Sequence, residues 1–281
     1  MNKPLFTYVM DDHDHQKTLS DFFSTFHISR KFINHLFNLK RIVINHKCAK
    51  INDIIHKNDC LSIDFSDEIP AFPNISTRSD ISIIYEDDHL VIIDKPIGLV
   101  IYDNNVSDTL TGRVQAYYQK LNYSFPVLPA HRIDVETSGL VIYAKHPLAL
   151  SYISYLFETK AIKKVYRAMV DCTNIDNRMI DMPIKEAPHT KTMIIDPKGL
   201  DAKTIIKLID KRATFQKIEL NIIGGRKHQI RVHLKSINCP IVGDRLYGGS
   251  PYARMLLHAK EVTFIHPFTQ KEVTYKTDEP F

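Results

Sequence analysis

Between His131 and Lys145 the sequence gathers a cation, two carboxylates and two hydroxyls beside an apolar run: His131-Arg132-Ile133-Asp134-Val135-Glu136-Thr137-Ser138-Gly139 leads into Leu140-Val141-Ile142-Tyr143-Ala144. The apolar run reads as a strand, so the polar group stands at the strand's mouth. Arg132 and Asp134 lie two apart, and in extended backbone their side chains share a side. Thr137-Ser138-Gly139 adds hydroxyls and a glycine that permits a tight bend. A carboxylate held ionised beside a cation can serve as nucleophile or base. The spacing alone does not assign that role, because a loop aspartate is more often a turn former or a helix cap. Glu136 invites a hydrolase reading with paired acids, yet neighbours at i and i+2 are too close in the chain to flank a sugar from both sides.

A second concentration of chemistry lies at Gly225-Arg226-Lys227-His228-Gln229-Ile230-Arg231-Val232-His233-Leu234. Read as a helix from Lys227 to Ile237, it carries Lys227, Arg231 and Lys235 as one i, i+4 stripe, with Ile230 and Leu234 as a separate apolar one. A solvated basic face is the plain reading of such a stripe; pairing of Arg231 with a carboxylate, and of Lys227 and Lys235 with phosphates, is the functional one. His228 and His233 are five apart and no HExxH pattern occurs, so no metal is expected. Cys48, Cys60, Cys172 and Cys239 are scattered without a close pair, which predicts free thiols rather than a zinc or redox motif.

Five segments follow in order along the chain: Asp94-Lys95-Pro96-Ile97-Gly98-Leu99-Val100, His131 to Leu140, Lys164-Val165-Tyr166-Arg167-Ala168-Met169-Val170, Gly225 to Leu234, and Gly243-Asp244-Arg245-Leu246-Tyr247-Gly248. Over about residues 81 to 270 this set resembles the RluA-type RNA pseudouridine synthase family. The resemblance implies isomerisation of uridine to pseudouridine in structured RNA, ribosomal or transfer, with no cofactor. Asp134 then matches the catalytic aspartate, and Arg132 the arginine that enters the RNA stack where the target base leaves it. Tyr166 matches the aromatic residue that stacks on the flipped uracil, and Arg231 the partner of the catalytic carboxylate. Extruding a stacked base costs a few kcal/mol, and stacking on an aromatic face returns roughly 1–3 kcal/mol per base. The detached uracil is retained and rejoined through carbon five, so one carboxylate suffices and no water needs activating. Asp134 has three routes open: attack on the anomeric carbon, addition to the base, or removal of a sugar proton. The chain departs from the family at Tyr102-Asp103, where a histidine is usual, and at Gly224, where a threonine is. A catalytically silent RNA-binding or ribosome-assembly protein is the competing class.

The elements that must position these residues form an α+β arrangement. Ile81 to Tyr85 and Leu90 to Ile93 read as a hairpin across Glu86-Asp87-Asp88. Asp108 is placed to cap a helix burying Leu110, Val114, Tyr117 and Leu121, and Pro147 to start one burying Leu148, Tyr152, Ile153 and Leu156. Val165 to Val170, Thr204 to Ile209, Phe215 to Ile223 and Val262 to Ile265 read as strands. A catalytic domain over 81–281, built on a mixed, largely antiparallel sheet with flanking helices, is expected.

Ahead of it, residues 1–65 read as a small basic α/β unit and 66–80, with Pro70 and Pro73 among polar residues, as a linker. The whole chain carries a net charge of +5. Between His27 and Cys60 stand seven basic residues, including Arg30, Lys31, Lys40 and Arg41, against two acidic ones, a local excess of +5. Ser29 is placed to cap a helix that buries Phe32, Ile33, Leu36 and Phe37 and exposes Arg30, Lys31 and Lys40. With the strand ending at Val43-Ile44-Asn45 and the turn at Lys57-Asn58-Asp59, this unit resembles the RNA-binding module of small-subunit ribosomal protein four, with His46 and Asn58 where glycine is usual. No apolar run approaches a membrane span or a signal peptide, which predicts a cytoplasmic protein, and a monomer is the simplest expectation.

Overall fold

The computed structural model describes residues 5–66, 75–123, 125–190, 192–211 and 214–281. Most of the stretch read as a linker, including Pro70 and Pro73, lies outside the described residues. The N-terminal part holds β1 (Leu5–Val9), α1 (Leu19–Thr25), α2 (Arg30–Asn38), β2 (Ile42–Ile44), β3 (Lys47–Cys48) and β4 (Cys60–Asp64). Its four strands form an antiparallel sheet in the order β1-β4-β2-β3. The β2–β3 hairpin turns on Asn45 and His46, both with positive φ, as a two-residue turn matched to strand twist requires. Helix α2 buries Ile33 and Leu36 and half-buries Phe32 and Phe37, but Ser29 makes no side-chain cap. Strand β1 and helix α1 are not apparent from periodicity; Thr18 and Asp21 cap α1 reciprocally, and its Phe22 and Phe23 are buried.

The rest of the chain supplies β5 (Ser82–Glu86), β6 (Leu90–Lys95), α3 (Leu110–Lys120), β7 (Leu128–Pro129), β8 (Ser138–Ala144), α4 (Pro147–Glu158), β9 (Lys163–Val170), β10 (Arg178–Asp181), β11 (Ile184–Glu186) and β12 (Met193–Ile195). It ends with β13 (Lys203–Lys211), β14 (Gln216–Ile223), α5 (Gln229–Ser236), β15 (Leu257–Ile265) and β16 (Glu272–Lys276). Ten of these strands make one sheet in the order β10-β13-β14-β9-β15-β8-β6-β5, with β16 beside β15 and β7 beside β8. Among the described residues only β8 and β15 run parallel, so the sheet is mixed and largely antiparallel, as the sequence predicts. At that junction the strands meet so closely that a Cβ on Gly139 would stand 2.3 Å from the carbonyl oxygen of Ala259. Gly139 is therefore demanded by backbone approach, and its φ of +112° suits only glycine.

The central strands are buried on both faces. Leu90, Ile92, Leu140 and Ile142 face one apolar cluster with α4, while Val91, Ile93, Val141 and Tyr143 face a second with α3 and α5. The first cluster continues into the N-terminal part through Phe6, Phe22, Phe26 and Phe65. Helix α4 buries the residues its pattern predicts. In α3, Thr109 rather than Asp108 caps, Tyr118 rather than Tyr117 is buried, and Leu121 is exposed. Asp108 instead binds Arg113 through two hydrogen bonds of 2.8 and 2.6 Å. The expectation of four free thiols is corrected: Cys172, past β9, is disulfide-bonded to Cys239, past α5, leaving Cys48 and Cys60 free. A separation of 67 residues conceals a contact that the sheet creates by bridging Val170 to Ile241. Among the described residues no helix is long and apolar enough to cross a membrane.

Candidate active site

Asp134 stands on the loop between β7 and β8, and buried side chains fix that loop from behind. The carbonyl of Val135 accepts the backbone N–H of Gly98 at 2.8 Å and the ammonium of Lys95 at 3.1 Å. Lys95 is fully buried and also donates to the carbonyls of Pro96 and Leu99, both at 2.9 Å. Burial pushes its pKa down to about 8, against the opposing charge of Asp134. On the other flank His131 accepts the N–H of Ile142 through Nε2, and burial keeps the ring neutral, its pKa pushed down to about 3. Thr137 closes the turn by donating its N–H to the carbonyl of Asp134. Ser138 faces away, binding Arg254 and His258.

Two elements converge on the carboxylate. Strand β9 holds Tyr166 between Leu220 of β14 and Ala259 of β15, with its ring only 9 % exposed. Burial, and then the charge of Asp134, keeps the Tyr166 phenol protonated well above its ordinary range. Helix α5 brings Arg231, whose guanidinium lies 3.5 Å from Asp134 and 3.4 Å from Glu136. The principal partner of Arg231, however, is Asp244, fully buried and bound through two hydrogen bonds of 2.8 Å. Burial opposes the charge on Arg231, but the bonds to Asp244 and the charges of Asp244, Asp134 and Glu136 outweigh it and raise its pKa.

Asp134, Tyr166 and Arg231 line a pocket of about 70 Å³. Ile133, Tyr166, Ile222, Ile230 and Leu257 give it apolar walls, and Asp134, His228 and Arg231 stand among them. A flat, neutral ring fits such walls, with an ionised carboxylate at its edge. Asp134 and Glu136 both reach the Arg231 guanidinium, one at each terminal nitrogen. Among the described residues no group of His, Cys, Asp and Glu is arranged to hold a metal.

Arg132 is exposed at the pocket's mouth, its guanidinium 5.9 Å from the ring centre of Tyr102, the residue that departs from the family's usual histidine. The pocket opens into a trough on both sides. One side carries Lys160, Lys164 and Arg226; the other carries Lys227 and Arg245. Lys164 donates to the carbonyl of Gly224, and burial pushes its pKa down to about 8. The expected basic stripe on α5 does not form. His228, at a φ of 54°, starts the helix at Gln229, so Lys227 lies outside it and pairs with Glu186 at 2.7 Å. Arg231 is buried at 4 % exposure and Lys235 is exposed. Arg30, Lys31 and Lys40 are exposed on and just past α2, whereas Arg41 is half-buried and donates to the carbonyl of Ser66. Sequence reasoning assigns no role to Lys95, His228, Asp244 or Tyr247, although each stands in one of the five family-like segments; the contacts that tie them to the site, Lys95 to Val135 and Asp244 to Arg231 among them, join separate segments of the chain.

Residues 89–236 match the family model for RNA pseudouridylate synthase. The chain is 32% identical over 260 residues to an uncharacterized RNA pseudouridine synthase, YhcT, of Bacillus subtilis, covering 90% of this chain and 86% of that protein. It is 29% identical over 259 residues to ribosomal large subunit pseudouridine synthase D of Neisseria meningitidis serogroup B, covering 85% of this chain and 69% of that one. In fold it is similar to human RNA pseudouridylate synthase domain containing 4, with a TM-score of 0.61 at 24% identity over 71% of this chain and 88% of that chain. The chain belongs to the RNA pseudouridylate synthase family.

Proposed function

We propose that the chain isomerises uridines of ribosomal RNA, with Asp134 as the catalytic group, Tyr166 as the stacking surface for the extruded uracil, Arg231 as the partner of the carboxylate, and Arg132 as the residue that fills the vacated stack. The observation that carries the reading is the convergence of Asp134, Tyr166 and Arg231 on one largely apolar pocket from three separate elements. Ribosomal RNA is favoured by the likeness to the ribosomal large subunit pseudouridine synthase D of Neisseria. The basic trough supports a polyanion lying across the pocket, with Lys164, Arg226, Lys227 and Arg245 at its two sides. In the same proposal residues 1–65 form an RNA-binding module like that of small-subunit ribosomal protein four, 66–80 a linker and 81–281 the catalytic domain. Arg30, Lys31, Lys40 and Arg41 then add phosphate affinity in the module, and Lys235 in the catalytic domain.

The test is Asp134→Asn on an unmodified ribosomal RNA transcript carrying tritium at uracil carbon five. Tritium release is expected to vanish while RNA binding and the melting temperature stay near wild type. Release at the wild-type rate would remove Asp134 from the chemistry. Pseudouridine mapping in ribosomal and transfer RNA from cells with and without the protein tests the substrate: loss confined to transfer RNA would overturn the ribosomal assignment.

A further inference from the structure

His228 is the pocket residue left without a role, and its surroundings give it one. It precedes α5 in a left-handed conformation, φ 54°, yet its side chain does not cap the helix. The ring instead spans two groups. Nδ1 stands 3.0 Å from the hydroxyl of Tyr247, and Nε2 stands 4.0 Å from Oδ2 of Asp134. A non-glycine residue held at positive φ persists only where its neighbours determine it, and such residues gather at functional sites.

Tyr247 is the hydrogen-bond partner of Nδ1. Its hydroxyl accepts the N–H of Met193 at 2.8 Å, so its own hydrogen goes either to Nδ1 at 3.0 Å or to the carbonyl of Met193 at 3.4 Å. Donation along the shorter contact makes Nδ1 the acceptor in the tautomer proposed below, with the ring proton on Nε2, facing Asp134. The charged and titratable groups around the ring are Asp134 from the active-site loop, Arg231 and Lys227 near its own helix, Asp244 and Tyr247 from the following loop, and Glu186 of β11. Burial lowers the imidazole pKa and Asp134 raises it, with a net fall, so the ring is neutral at physiological pH.

We propose that His228 is a positioning residue for Asp134: a neutral Nε2–H donor, its tautomer set by Tyr247, that orients the carboxylate when uracil fills the pocket and that arrests the reaction when a second proton turns the contact into an ion pair. The inference rests on the assignment of Asp134 above. A separation of 4.0 Å is long for a hydrogen bond, and such contacts commonly tighten only once substrate is bound.

The assay is single-turnover tritium release from the same ribosomal RNA transcript between pH 5 and 8.5, with melting temperature and RNA affinity measured alongside. His228→Phe removes donor and titration together and is expected to slow turnover by roughly 10–100-fold, since a preorganised donor is worth up to 10²–10³-fold. His228→Gln keeps an N–H but cannot titrate. It is expected to lose less, roughly 3–10-fold, and to shift the acidic fall in rate toward lower pH, where only a carboxylate titrates. A merely structural role predicts no such shift. If Asp134→Asn is inactive while His228→Gln keeps the wild-type acidic limb, the inference is overturned and the Asp134 assignment stands. If Asp134→Asn is active, both fall. Should His228→Phe not fold, the limb of His228→Gln decides alone.

Discussion

Asp244→Asn tests whether the buried Arg231–Asp244 pair underlies both fold and site. The substitution keeps the shape but removes the charge that two 2.8 Å bonds bring to a guanidinium 4 % exposed. Removing one partner of a buried pair costs roughly 3–5 kcal/mol, because the other charge is left uncompensated. Asp134 at 3.5 Å and Glu136 at 3.4 Å lie close enough to take up part of that charge, so the lower end, about 3 kcal/mol, is expected. The new amide would also present its hydrogens to guanidinium hydrogens in either orientation, at Nε in one and at Nη2 in the other, where it would in addition give up the acceptor now serving the N–H groups of Leu246 and Tyr247. At roughly 2–4 °C per kcal/mol for a chain this long, the melting temperature should fall by roughly 6–12 °C.

The same change should slow single-turnover isomerisation without weakening RNA binding, because a released Arg231 moves onto Asp134 and binds it directly. Calorimetry on wild type, Asp244→Asn, Arg231→Met and the double variant separates the pair from its surroundings. The double variant should lose less stability than the two single variants lose together, as coupling within one buried pair requires. A melting temperature for Asp244→Asn within 1–2 °C of wild type, roughly the shift of 0.5 kcal/mol, would refute the reasoning. So would strict additivity in the cycle.

Two further outcomes follow from buried and exposed cations. Lys95 has a folded pKa pushed down to about 8 from an ordinary 10.5, so the unfolded chain binds more protons between those values and stability rises with pH across that window, with no further change from this group below it. Lys95→Met should remove part of that rise in melting temperature, Lys164 keeping its own share, and should slow turnover by freeing the Val135 carbonyl; an unchanged pH slope would contradict this. Replacing Arg30, Lys31 and Lys40 by Gln should reduce the slope of log affinity against log salt by up to about 2–3, at roughly 0.7–0.9 for each phosphate no longer neutralised, and an unaltered slope would exclude the N-terminal unit from the RNA interface.

Periodicity makes legible what depends on local pattern. The hairpin at 82–95, the burial face of α4 and the long strands follow from alternation and from Pro147 at a helix start. What escapes it is set by distant partners. Strand β1 is short and carries two exposed apolar residues, Leu5 and Val9, so its alternation is hidden. The start of α5 is obscured because Lys227 and His228 look helical, whereas the Gly224-Gly225 turn and the left-handed His228 delay it. That delay removes Lys227 from the stripe. The Cys172–Cys239 bond and the Arg231–Asp244 pair are likewise products of the sheet, and spacing along the chain carries no sign of either.

The division of labour around Arg231 explains why one guanidinium meets three carboxylates. A cation paired tightly with Asp134 alone would occupy the lone pairs that its proposed role calls on. Asp244 takes the bidentate contact, fully buried, and Glu136 draws on the same terminal nitrogen from the exposed side. Asp134 is left with one longer contact to the guanidinium, of 3.5 Å, on the wall of the pocket it shares with Tyr166. Arg231→Lys should therefore be a poor substitute despite its charge, with single-turnover tritium release slowed nearly as far as in Arg231→Met. An ammonium cannot form the planar fork that fixes its position on Asp244, so its hold on Asp134 would go with it.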